Sequence, residues 1–107
     1  MEDQLLPGRR LMANYVAPIM AKLTDLLPDC EPELVRFYAL LILIRGVNAD
    51  ERDVHDAWAV WRDMTNPGHR SLVPFDELTA QVQALDVPYA QAIRKVAEEV
   101  WGAGPNP

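Results

Sequence analysis

Residues 32–46 read PELVRFYALLILIRG, and the reading of this stretch decides the fold. Its centre, FYALLILI at 37–44, is apolar without a break and is bounded by Arg36 and Arg45. A bilayer span needs roughly 20 apolar residues, so the run is too short to cross one and reads as a buried core helix. Glu31 followed by Pro32 suits a helix start, because proline tolerates the first turn and an acid complements the positive end of the helix dipole. Gly46 supplies a left-handed stop. Between these ends Leu34, Val35, Phe37, Tyr38, Leu40, Leu41, Ile42, Leu43 and Ile44 cover nearly the whole circumference. Such a helix has to be surrounded, by its own chain or by a partner.

The flanking segments supply candidates for that cover. Upstream, from about Arg10 to Leu27, Leu11, Met12, Tyr15, Val16, Ile19, Met20, Leu23, Leu26 and Leu27 recur at spacings of three and four, the stripe of an amphipathic helix. Pro18 lies inside it and bends the helix or starts it near Asn14, and Pro28 ends it. Downstream, Asn48 with Glu51 has the pattern of a capping box opening a helix on which Val54, Trp58 and Trp61 share a face. Asn66, Pro67 and Gly68 end that helix in a turn. Thr79 caps a short helix to Leu85; Asp86 caps the last one, with Pro88 in its first turn and Tyr89, Ile93, Val96 and Val100 on one face. No stretch alternates like a strand. The expectation is an all-α fold, a compact bundle of four to five helices in one domain over 1–107, with flexible ends at 1–8 and 102–107.

Composition narrows the function. The 107 residues are half hydrophobic, enough for a core without staples, and one cysteine, Cys30, excludes an internal disulfide. With only His55 and His69 beside it, a zinc site lacks ligands and no metal or other cofactor is expected. Basic and acidic residues number six against nine up to residue 53 and four against seven after it, so neither half conceals a basic face. Nucleic acid and anionic membrane are therefore disfavoured as partners. The chain start is acidic and lacks a signal-peptide pattern, which with the single cysteine points to the cytoplasm.

The irregular piece between the helices is HRSLVPFDEL, 69–78. Leu72, Val73 and Phe75 anchor it inward, Pro74 stiffens it, and Asp76 and Glu77 cap the next turn or helix. Loops held by rigid scaffolds are where recognition residues concentrate. Nothing marks a catalytic site: Cys30 precedes a helix start without a histidine placed beside it, and no phosphate loop or HExxH motif is present. His55 reads as a structural hydrogen-bond donor. His69 suits a backbone carbonyl or a ligand anion.

The segment HRSLVPFDEL, preceded by His55-Asp56-Ala57-Trp58 and followed by Asp86 and the helix around Ile93, resembles the RyR domain, a small repeat first named in ryanodine receptors and also found in bacterial and phage proteins. The likeness covers about 49–98, and the stretch between the HxxW helix and His69 is shorter here than in receptor repeats. It implies a helical, non-catalytic module. The first expectation for this chain is binding of a protein partner, a second copy included, through His69, Arg70, Pro74, Phe75, Asp76, Glu77, Trp58 and Trp61. A second expectation is a sensor of a nucleotide-like small molecule in a bacterial or phage conflict system, the ligand held between His69, Arg70 and a wall of Trp58 or Trp61, with Arg62 assisting. A third is a phage accessory protein that sequesters a host factor.

Overall fold

The computed structural model describes residues 14–102. The N-terminal arm, the start of the first stripe at Arg10 to Met12 and the tail beyond Gly102 lie outside them. Five α-helices make up the described chain: α1 (Val16–Leu26), α2 (Pro32–Arg45), α3 (Glu51–Thr65), α4 (Ala80–Ala84) and α5 (Val87–Trp101). Short 3-10 turns occupy Gly46–Asn48 and Phe75–Glu77, and no strand occurs among the described residues. The chain is all-helical, as the periodicity predicts.

Each helix begins where local chemistry allows it. Asn14 Oδ1 accepts from the N–H groups of Val16 and Ala17 at 3.2 and 3.0 Å, so α1 starts here. Pro18 then falls in the first turn, where its missing N–H has no partner to lose, and it starts the helix rather than bending it. The predicted capping box is displaced by two residues. Asp50 accepts from Asp53 N–H at 2.9 Å and Asp53 accepts from Asp50 N–H at 3.1 Å, whereas Asn48 belongs to the preceding 3-10 turn. A cap requires extended backbone, which Asp50 has at φ −131° and ψ −176°. Gly46 has φ 57° as a stop residue should, but ψ −132° places it outside the left-handed helical well, in a region glycine alone enters cheaply.

α2 is the central element. Leu34, Val35, Tyr38, Ala39, Leu41 and Ile42 are buried, in one cluster with Ile19 and Leu23 of α1, Val54 and Trp61 of α3 and Ala90, Ile93, Val96 and Ala97 of α5. Each fully buried Ile or Leu contributes roughly 1.5–3 kcal/mol relative to exposure. Ala90 and Ala97 let α5 approach closely. Two polar links fix its register: Arg94 donates to the Ala49 carbonyl at 2.8 Å and Trp101 Nε1 to the Ile42 carbonyl at 3.4 Å. The all-round cover expected for α2 is not complete among the described residues, because Leu40 and Ile44, one turn apart, remain 50% and 60% exposed.

Candidate functional site

The 69–78 segment is bound to α3 by side chains that α3 presents at successive turns. His55, 3% exposed, donates from Nε2 to the Val73 carbonyl at 2.7 Å, the structural hydrogen bond that the sequence suggests. One turn earlier, Arg52 holds Asp76 at 2.8 Å and lies 5.3 Å from the centre of the Phe75 ring. From the other side Gln83 of α4 donates to the Phe75 carbonyl at 2.9 Å. Asp76 thus serves as an ion-pair partner for Arg52 instead of capping a helix, and that pairing holds its carboxyl below the usual range. Leu72, Val73 and Phe75 are half-buried and none is fully inside. Arg70 and Glu77 are exposed, and neither side chain makes a hydrogen bond or ion pair among the described residues.

Anchoring this segment opens a cleft of about 410 Å³ beside it, within the size range of small-molecule sites. Its lining comes from four directions: Asp29, Cys30 and Glu31 from the α1–α2 connection, Leu34 and Tyr38 from α2, His55, Trp58, Trp61 and Arg62 from α3, and His69, Ser71, Val82, Leu85, Asp86 and Tyr89 from the segment beyond. Of the residues the sequence singles out, Trp58, Trp61 and His69 meet here together with Arg62. Arg70, Phe75, Asp76 and Glu77 do not line it, and Pro74 lines a shallower groove on the far side of His55 with Asp56, Asp63 and Val60.

The aromatic wall is layered. His55 stacks on Trp58 with ring centres 5.6 Å apart, and His69 meets Trp58 edge-on at 5.2 Å. The His69 ring accepts the Ser71 N–H at Nδ1, 3.0 Å, so the neutral ring carries its proton on Nε2. Where the sequence suggests a bond from His69 to a carbonyl or an anion, the turn brings a backbone N–H to the ring instead. The Arg62 guanidinium lies over the Trp61 ring at 4.5 Å and near Trp58 at 5.9 Å. Two residues of this lining carry a buried donor that has no acceptor among the described residues, the indole N–H of Trp61 and Nε–H of Arg62. Leaving a buried donor unpaired costs roughly 1–3 kcal/mol, a cost a bound acceptor removes.

Two groups missed by motif reading matter to the electrostatics. Asp86, expected as a cap, makes no capping bond, because its backbone is already helical at φ −84° and ψ −12°. Its carboxylate faces the cleft lining instead, and burial pushes it up to about 6, against the influence of His55. Tyr38, a core position by periodicity, also reaches the cleft; burial raises its phenol, with Cys30, Tyr89 and Asp86 adding to the effect. Burial and Glu31 also push the Cys30 thiol up, the opposite of what an activated nucleophile needs. No local spacing signals Tyr38 or Asp86, because each reaches the cleft only through the packing of α2 and α5 around α3.

Among the described residues no helix is long and apolar enough to cross a membrane. No curated protein and no solved structure matches the chain. The family model of a domain of unknown function, DUF7701, matches residues 14–98, which run from the cap of α1 into the last turns of α5 and include every cleft residue. The chain belongs to this family, DUF7701.

Proposed function

We propose that this domain binds a small polar molecule in the cleft between α3, the 69–71 turn and the α4–α5 junction, without transforming it. The observation that carries the reading is the pair of buried, unpartnered donors on Trp61 and Arg62 in the lining of a cleft of ligand size. Native interiors satisfy such groups, and an acceptor on a ligand is one way to do so. The likeness of 49–98 to RyR domains fits a binding role, and the single cysteine fits a cytoplasmic setting. The 69–78 segment then acts chiefly as scaffold, holding His69 and Ser71 at the cleft through His55 and Arg52.

The test is a panel of nucleotides, nucleosides, amino acids and sugars followed by tryptophan emission and melting temperature, since binding to the folded state raises stability by mass action. At least one class is expected to shift both signals, with Trp61→Phe, which keeps the ring face and loses the N–H, weakening it by about tenfold. Silence of every class at millimolar concentration would overturn the reading.

A second reading, association with a protein partner or a second copy, draws on a different surface. Leu40 and Ile44 stand exposed on one face of α2, beside a small groove lined by Met20, Ala39 and Leu43.

A further inference from the structure

The cleft is unevenly charged. Three carboxylates, Asp29, Glu31 and Asp86, line it against one guanidinium, Arg62. A polyanionic ligand would meet like charges there, so the lining argues against a polyphosphate even though Arg62 and the tryptophans suit stacking.

Asp86 differs from acids elsewhere in the fold that have found partners. Asp50 and Asp53 cap α3, Asp76 is paired with Arg52, and Glu99 with Lys22 and Lys95. Asp86 is half-buried, yet among the described residues its carboxylate takes no hydrogen bond and no ion pair. Its neighbours do not pair with it: His55 on α3 favours its charge from nearby but commits Nε2 to Val73 and makes no hydrogen bond to it, Glu51 on α3 repels it, and the phenol of Tyr38 on α2 stays protonated. A charge removed from water without a partner is expensive, and a cationic group on a ligand relieves that cost. The residues of this lining therefore carry enclosed, unpaired donors on α3, which a ligand meets by displacing the side chains that cover them, and an unpaired acceptor just before α5.

We propose that the cleft takes a zwitterionic molecule of the free α-amino-acid class, its carboxylate against the Trp61 N–H and Arg62 Nε–H and its ammonium against Asp86. The inference rests on the small-ligand reading of the cleft and names the chemistry of that site. Leu34, Val82 and Leu85 complete the lining with apolar surface, which selects an apolar side chain.

The experiment is calorimetric titration of the full chain with the twenty free amino acids singly, with N-acetyl and carboxamide derivatives of those that bind, and with nucleoside mono- and triphosphates. Wild type, Asp86→Asn and Trp61→Phe are compared. An apolar free amino acid is expected to bind, each blocked derivative at least about tenfold more weakly, as losing a charge-assisted hydrogen bond implies. Asp86→Asn is expected to lose a similar factor for the free amino acid, with no fall in melting temperature, and to bind the N-acetyl form as wild type does. Nucleotide binding without amino-acid binding, or amino-acid affinity unchanged in Asp86→Asn, would overturn this inference and leave the small-ligand reading standing. Absence of binding by every compound would overturn this inference, and silence of the nucleosides and sugars as well would overturn the small-ligand reading with it.

Discussion

At Asp86 burial works against charge. Its carboxyl ordinarily titrates at 3.8 and is pushed up to about 6 in the fold. Between those values the folded state holds a proton the unfolded chain has lost, so stability falls as pH rises through the window. Asp86→Asn removes that penalty and is expected to stabilise the protein at pH 7 by about 1 kcal/mol, allowing for partial solvent exposure. The gain should vanish below pH 4, which thermal melts across pH will show. His55 behaves differently, because it is nearly fully buried and its hydrogen bond holds the 69–78 segment. His55→Ala leaves a cavity and the Val73 carbonyl unpaired, an expected loss of about 2–3 kcal/mol in urea unfolding, with faster hydrogen exchange confined first to 69–78.

Among the elements, α3 does the organising. It begins at a reciprocal cap between Asp50 and Asp53, and Arg45 reaches Asp53 at 2.8 Å, joining the end of α2 to the start of α3. Asp50→Ala should cost about 1 kcal/mol, whereas Asn48→Ala, two residues upstream in the 3-10 turn, should change stability by less than about 0.5 kcal/mol. Equal losses in the two variants would place the cap where the sequence pattern alone puts it. The short α4 has little hydrophobic burial of its own. It is held by the Thr79 cap, whose hydroxyl accepts the Val82 N–H at 3.2 Å, and by Gln83 bridging to the Phe75 carbonyl.

At the scale of the whole molecule, among the described residues α2 is enclosed by α1, α3 and α5 on every side but one. Leu40 and Ile44 remain outward, and if they mediate association, Leu40→Ser with Ile44→Ser will abolish any concentration-dependent mass in sedimentation. The double variant should leave the melting transition nearly unchanged, since solvent-facing positions contribute within about 0.5 kcal/mol. A large loss of stability would instead mean that this face is covered within the chain itself. Opposed titrations also shape the response to acid. Asp76 and Glu99, lowered by Arg52 and by Lys95 and Lys22, lose their contribution as pH falls through their folded values, while Asp86 adds stability as pH falls toward 4.

The sequence by itself determined the helical class, the bounds of α2, the turn at Asn66 to Gly68, the Thr79 cap and the structural hydrogen bond of His55. These follow from periodicity and from residues acting within a few positions of one another, the range over which helix chemistry operates. It also marked Trp58, Trp61 and His69, because aromatic and imidazole groups are conspicuous wherever they stand. Only the tertiary structure decided that these meet Arg62, Tyr38 and Asp86 in one cleft while Arg70, Phe75, Asp76 and Glu77 do not. The cap of α3 fell at Asp50 because the backbone at Gly46–Asn48 was already committed to a 3-10 turn, and Asp86 became a cleft carboxylate because α4 and α5 join through helical backbone. The physical reason is common to these cases: a polar side chain's role depends on which unpaired groups packing brings within about 3 Å of it, and spacing along the chain carries no such information between separate elements.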